Sequence, residues 1–369
     1  MTQAFRPTWV EVDLAAIRHN VGVLRETTGT QLMVVVKADG YGHGAVEIAR
    51  AAAEAGAAWF GVALVEEGLQ LRGAGLETPI LVLSELPPGA EAVALAARLT
   101  PAIGSEAAAD RLAATARGTG IGVHVKVDTG MHRQGVWPPV AAAAVCDRVA
   151  AAGLVVEGLW THLACADEGD PVVTEQQLAT FRDVVTQVEA AGHRPGLVHA
   201  ANSAAAITHT SSRLDLVRMG IATYGIEPAP GIAAGLGLRP AMRWRSAVSA
   251  TRRLAAGEAV SYGHAYRLDR PSWIATVPVG YADGYPRAAS SRAEAVMAGV
   301  RCRVVGNVTM DQLLVDGGDN EPAVGDEVVL LGGDGVDAID VWELAGYAGS
   351  IAYEIVTRIG ARVPRRYVG

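Results

Sequence analysis

The chain has 369 residues, half of them hydrophobic, 19% charged and 5% aromatic, with a formal net charge of −8. That length exceeds one ordinary domain and predicts two, each with its own core, packed mainly by aliphatic side chains and alanine. The acidic balance, free of basic blocks, argues against nucleic acid or an anionic membrane surface as the partner.

Cys146, Cys165 and Cys302 are odd in number and scattered, so they outline neither a disulfide framework nor a zinc site, and no metal is expected. The opening MTQAFRPTWVEVD has no apolar core of a signal peptide. No window offers the roughly 18 uncharged apolar residues of a membrane span. A cytoplasmic protein without a membrane partner is expected.

From Trp9 to about Gly225 short apolar runs alternate with Ala-rich helical stretches. Strands are predicted at 10–13, 32–36, 59–64, 80–84, 99–103, 123–128, 156–163, 197–201 and 214–220. Helices are predicted between most of them, at 44–56, 105–117, 139–152 and 174–191. Runs buried on both faces and alternating with helices indicate a parallel α/β sheet. The even spacing favours a (β/α)8 barrel, with one strand to spare. A doubly wound sheet is the alternative, but no strand-turn-helix carries GxGxxG.

After EPAPGIAAGLGLRP (227–240) the texture changes to strand-like segments separated by Gly, Asp and Pro turns, among them MRWRSAVSATRRL, WIATVPVGY, RCRVVGNVTM and DEVVLLGG. The expectation is a barrel domain over 1–240 and a mainly β domain over 241–369. DGGDNEP (316–322) and GGDGVD (332–337) lack the ordered carboxylates of a calcium loop and read as turns. The terminal Arg362, Arg365 and Arg366 read as a solvated stretch.

Of the 31 basic residues only Lys37 and Lys126 are lysines. Where Arg stands almost everywhere else, a retained Lys is a candidate for chemistry that a guanidinium cannot perform. Lys37 ends the run VVV and precedes the Gly-rich ADGYGHG, which puts it at the C-terminal mouth of a barrel strand, where barrel active sites sit. An amine there suits Schiff-base chemistry, because the neutral amine is the nucleophile; a plain strand exit is the alternative. Lys126 alternates with Val123, Val125 and Val127, which turns it to the barrel interior. An ammonium is costly there unless Asp128 or a modification neutralises it.

VDTG (127–130) has no second D-T/S-G partner, which excludes an aspartic-protease dyad. AANSAA (200–205), with Ser203, opens a helix after a strand, and MGIATYG (219–225) adds a Gly turn after the last barrel strand. Such turns seat phosphates in this fold. With a strand-end Lys they suggest pyridoxal phosphate, which needs an amine, a phosphate seat and a partner for its ring nitrogen.

VVVKADGYGHG resembles the pyridoxal-phosphate attachment motif of the alanine racemases. The likeness continues in that family's order through VKVDTGMHRQG, THLACAD, AANSAA, VRMGIATYG, VSYGHAY, PVGYADGYPR, VTMDQ and AYEIVTRIGARVPRRY. The resemblance implies a (β/α)8 TIM barrel followed by a mainly β domain, with the first strand (about 8–13) packed in the latter. It also implies a homodimer that racemises alanine and supplies D-alanine for peptidoglycan. A broader amino-acid racemase, acting for example on serine, is the alternative.

By the resemblance, Lys37 holds the cofactor and is one catalytic base. Tyr262 is the opposing base, delivered with Met310 to the partner's barrel. Arg218 faces the pyridine nitrogen, and His162 links Tyr262 to Arg218. Tyr41, Ser203, Gly220, Ile221 and Tyr353 seat the phosphate. Arg133 and the Met310 backbone bind the substrate carboxylate, Tyr281 narrows the entrance, and Lys126 matches a lysine often carbamylated. His264, Thr309 and Met219 stand where the family more often has Arg, Cys and Pro; none removes a catalytic group.

Overall fold

The computed structural model of the chain describes residues 5–333 and 335–369. Two compact units emerge, one made of Ile17–Gly40 and Ala45–Arg239, the other of the chain up to Ala16 together with Tyr41–Gly44 and Pro240–Gly369. The strand β1 (Thr8–Asp13) belongs to the second of these.

The first unit is built on eight parallel strands: β2 (Gln31–Val35), β3 (Trp59–Val62), β4 (Ile80–Glu85), β5 (Leu99–Ile103), β6 (Gly122–Lys126), β7 (Val155–Trp160), β8 (Leu197–His199) and β9 (Leu216–Met219). Each strand from β2 to β7 pairs with the next, and β2 also pairs with β9. Bonds from Asp215 N to Val198 O and from Arg218 N to Ala201 O, each 3.0 Å, bridge the remaining gap between β8 and β9. The result is a nearly closed (β/α) barrel.

Valine and other aliphatic residues dominate these strands because both faces are covered; every residue of β3 and of β9 is buried. One core cluster gathers Met33, Trp59, Leu81, Ala102, Trp160 and Leu216 from the strands. The intervening helices turn small residues to the barrel. Helix Glu106–Ala116 buries Ala108, Ala109, Leu112, Ala113 and Ala116 and starts at Ser105, whose Oγ accepts from Ala108 N at 3.1 Å. Observed strand ends lie up to three residues inside the expected ones, as at 156–163, where pairing stops at Trp160.

The second unit continues with β10 (Met242–Ala247), β11 (Ala250–Leu254), β12 (Ala259–Val260), β13 (Tyr266–Arg267), β14 (Ser272–Val277), β15 (Glu294–Met297), β16 (Val300–Val305), β17 (Leu313–Gly318), β18 (Glu327–Leu331) and β19 (Arg365–Val368). Its main sheet has the order β11-β14-β17-β16-β15-β18-β10-β1-β19, with β12 and β13 as a separate hairpin. β1 pairs antiparallel with β10 and parallel with β19. The expected segment 242–254 is two strands, and Gly306–Met310 leaves the sheet as a turn.

The domain also carries the helices Val341–Ala348 and Ala352–Thr357, which the strand-like texture did not announce. Of the aspartate-rich stretches, Asp316–Gly318 ends β17 and Gly335–Asp337 is a single 3-10 turn, while Asp334 lies outside the described residues.

Two contacts hold the end of β2, where Lys37 follows. The buried Tyr224 hydroxyl donates to Val35 O at 2.9 Å, and Gly40 N donates to Val36 O at 2.8 Å. Tyr224→Phe strips the buried Val35 carbonyl of its hydroxyl donor. It is expected to lower stability by about 1–3 kcal/mol in denaturant unfolding; an unchanged midpoint would show that the bond contributes nothing.

Candidate active site

Lys37 opens a left-handed turn in which Ala38, Asp39 and Tyr41 take φ of 51°, 52° and 51° around Gly40 at 60°. A Cβ disfavours that region, so the turn persists only because its surroundings hold it. Glu67 does much of this: its carboxylate accepts from Ala38 N at 2.7 Å, Ala63 N at 2.7 Å and Leu64 N at 3.1 Å. Asp39 Oδ1 accepts from Ala45 N at 2.9 Å and starts the next helix. Burial lowers the Lys37 pKa from its ordinary value and the nearby Arg133 adds to this, with Glu67 opposing.

Lys126 ends β6 and is 5% exposed. No carboxylate lies within ion-pair distance of it among the described residues. Asp128 instead accepts from Gly130 N at 2.9 Å and His132 N at 3.0 Å. The ammonium rests over the Trp160 ring, 4.6 Å from its centroid. Burial, Arg133, Arg218 and Lys37 together push its pKa down to about 8 against the pull of Asp128.

Arg218, on β9, is 3% exposed and lies 4.7 Å from the Trp160 ring centroid. Its Nη1 meets His199 Nδ1 at 2.9 Å. Its Nη2 reaches Thr161 O at 2.8 Å, Ala200 O at 2.7 Å and His162 Nδ1 at 3.1 Å. Burial holds the guanidinium down to about 9. The same burial and the surrounding cations keep His162 and His199 well below the ordinary histidine range. Lys37, Lys126, Arg133 and Arg218 therefore share one cationic region, with Arg133 the exposed member.

Two turns flank it. Asn202 caps the helix Ser203–Thr208 by accepting from Ala205 N at 3.0 Å, and Ser203 Oγ accepts from Gly220 N at 2.8 Å. Gly220 precedes the 3-10 turn Ile221–Tyr224. The bond ties the two turns together and leaves the Ser203 hydroxyl proton free to donate elsewhere.

In the second unit Tyr41 and Tyr353 pack with ring centroids 6.3 Å apart. Burial, then Tyr353, raises the Tyr41 phenol above its ordinary pKa. Tyr262 is 76% exposed on a turn braced from behind: Asn307 Nδ2 donates to Tyr262 O at 2.7 Å, and Ser261 Oγ donates to Asn307 O at 2.6 Å. Ser261, Tyr262, Thr309, Gln312 and Leu314 line an open cavity of about 360 Å³. Tyr281 and Met310 share one turn pair, through Tyr281 N to Thr309 O and Ala282 N to Met310 O at 3.0 Å each. The carboxylate of Asp283, itself fully buried, holds that turn by accepting from Gly280 N at 3.0 Å and from Arg6 Nη1 at 2.8 Å, with Arg6 Nη2 in an ion-pair contact at 2.8 Å from Oδ1.

Sequence reasoning passed over Glu67, Asp283, His124, His199 and Glu157. Two of these carried a signal, for His124 lies two residues before Lys126 on the same strand face, and Asp283 sits within the quoted PVGYADGYPR.

The chain matches the family model described as alanine racemase, N-terminal domain, over residues 12–228, and that for the C-terminal domain over 241–367. It is 47% identical to the alanine racemase of Symbiobacterium thermophilum, covering 99% of this chain and 98% of that one. The alanine racemase of Thermobifida fusca is also 47% identical, covering 97% of each. Among solved structures, alanine racemase from the D-cycloserine producing Streptomyces lavendulae superposes with a TM-score of 0.94 at 41% identity, covering 100% and 98% of the two chains. The Bacillus anthracis alanine racemase with bound L-Ala-P gives 0.93 at 36% identity, covering 100% and 96%. With both domain models matched in tandem and relatives aligned over nearly their full length, the chain belongs to the alanine racemase family.

Proposed function

We propose that this chain is an alanine racemase, interconverting L- and D-alanine as a homodimer with pyridoxal 5'-phosphate as cofactor. The observation that carries the reading is the lowered Lys37 amine beside Lys126, Arg133 and the buried Arg218. A neutral amine is the nucleophile for Schiff-base attachment. A cationic region countered, among the described residues, by Glu67 and Asp128 suits a ligand bearing phosphate and a substrate bearing carboxylate.

The residues present fit the cofactor. Arg218 Nε makes no hydrogen bond among the described residues, which leaves a donor for a ring nitrogen. Ser203 and the backbone of Gly220 and Ile221 supply hydroxyl and N–H groups for a phosphate, with Tyr41 and Tyr353 assigned to it by the resemblance. When bound, pyridoxal phosphate draws electron density from the amino acid Cα and makes its hydrogen acidic.

Racemisation removes the Cα proton from one face and returns one to the other, so it needs a base on each face. Lys37 Nζ serves one face. The exposed Tyr262 phenol, delivered to the partner's barrel with the Met310 backbone, serves the other. Arg218 would face the ring nitrogen of the bound cofactor, and because a guanidinium keeps its protons it would leave that nitrogen unprotonated. Electron withdrawal would then be restrained, disfavouring decarboxylation and transamination, for which an acidic partner would be better.

His162 accepts from Arg218 through Nδ1, so its other ring nitrogen carries the proton, the group that the resemblance assigns to the link with Tyr262. Arg133 and the Met310 backbone take the substrate carboxylate, and Tyr281 narrows the entrance. The neutral fraction of Lys126 attacks carbon dioxide, forming an N–C bond and releasing a proton. The resulting anion holds Arg133. A cytoplasmic site supplying D-alanine to peptidoglycan belongs to the same proposal; no helix among the described residues is long and apolar enough to cross a membrane.

A chiral assay against a panel of L-amino acids should show racemisation of alanine, and Lys37→Ala should abolish both this activity and the visible absorbance of bound cofactor. Retention of either would sink the assignment. Tyr262→Phe should impair proton abstraction from L-alanine selectively; equal mild losses in both directions, followed by deuterium exchange, would contradict two bases.

Because the chain has only two lysines, labelling their Cε carbons gives two resonances to titrate. In carbon-dioxide-free buffer both should deprotonate below the ordinary lysine value, Lys126 near pH 8. Labelled bicarbonate should then add a carbamate signal at Lys126. An amine that titrates normally, or no carbamate, would refute its part.

A further inference from the structure

Arg218 donates to His199 Nδ1 at 2.9 Å, and a guanidinium can only donate. That bond places the His199 ring proton on Nε2, which lies 3.0 Å from His124 Nδ1. The same logic places the His124 proton on Nε2. This N–H is buried and has no hydrogen-bond partner among the described residues. The carboxylate nearest to it is Glu157, whose Oε2 stands 3.8 Å away, an electrostatic rather than a hydrogen-bonding distance.

The four groups come from β9, β8, β6 and β7 in turn, and the direction of donation along them is one-way. Both imidazoles are fully buried, and His124 is held neutral by a pKa pushed down to about 3. His199 stacks on Trp160 at an interplanar angle of 3°, and His124 tilts against Trp59, so neither ring is free to flip.

Two glycines make the room. A Cβ on Gly158 would lie 2.5 Å from His124 Nδ1, and one on Gly122 would lie 2.5 Å from Glu157 Oε2. Among the described residues Arg218 itself touches no carboxylate; the chain of bonds leads from it to one.

We propose that Glu157 is a positioning residue for Arg218, acting through the neutral imidazoles of His124 and His199. Its negative charge draws the His124 Nε2 proton outward and so makes His124 Nδ1 a stronger acceptor. His199 Nδ1 strengthens in turn, and Arg218 Nη1 is bound more firmly. The guanidinium is thereby fixed with Nε directed away from this chain of bonds. The catalytic consequence rests on the racemase reading above, whereas the order of the bonds does not.

The test is nitrogen-15 spectroscopy of the full chain labelled at histidine and arginine, first without cofactor. At neutral pH His124 and His199 should both be neutral Nε2–H tautomers. Glu157→Gln should shift the ring nitrogens of both and the Nη signals of Arg218. In the loaded enzyme the same variant should move the visible cofactor band and lower kcat by about three- to tenfold with KM little changed.

An Nδ1–H tautomer or a charged ring at either histidine would overturn the proposal. So would a Glu157→Gln variant that melts earlier but leaves the Arg218 signals, the band and kcat untouched, since the glutamate would then be merely structural. Wild-type protein that failed to racemise alanine would defeat the functional reading instead, and would leave the nitrogen signals to decide the bond order.

Discussion

A guanidinium enclosed on every side, with no carboxylate against it among the described residues, is the constraint that organises the barrel mouth. Burying such a charge is costly, and Arg218 meets the cost with four hydrogen-bond acceptors and an indole face. Two acceptors are backbone carbonyls, Thr161 and Ala200, just past the ends of β7 and β8. The other two are imidazoles that must stay neutral to accept. The strand ends, both histidine tautomers and the place of Trp160 thus follow from one side chain.

The cations around it have little local relief, with only a pull from Glu67 on Lys37 and from Asp128 on Lys126 among the described residues. Lys126, denied a carboxylate, leans on Trp160 from the same region and loses part of its affinity for a proton. Lys37 is depressed by burial and by Arg133. A weakened hold on the proton at both amines follows from burial and the same crowding of positive charge. The left-handed turn after Lys37 adds conformational strain, and Glu67 contains it by gathering three backbone N–H groups.

Much of this was legible in the residues. Valine runs spaced by Ala-rich helices specify covered parallel strands, and the two lysines stand out against a background of arginine. The quoted motifs name the groups near the mouth. Other features lie beyond such reading. Ala38 and Tyr41 carry no local mark of positive φ, which Gly and, less strongly, Asp advertise. Glu67 and Glu157 look like ordinary helix and strand carboxylates until folding brings them to Lys37 and His124. The helix Val341–Ala348 did carry a signature, Asp340 with Glu343 three residues on, and Asp340 caps it by accepting from Trp342 N at 2.7 Å. Its surroundings of short strands masked it.

Gly280 bears on how such a protein could change its diet. A Cβ there would come within 2.3 Å of the carbonyl oxygens of both Thr309 and Met310, so two stretches of backbone touch with nothing between them. The turn carrying Tyr281 and the turn carrying Met310 are in effect one piece. A lineage under pressure to accept a bulkier amino acid could not shift the Tyr281 backbone, proposed to narrow the entrance, without dragging along the carboxylate anchor proposed at Met310. Adaptation is channelled into trimming the tyrosine side chain, and the anchor is inherited unchanged.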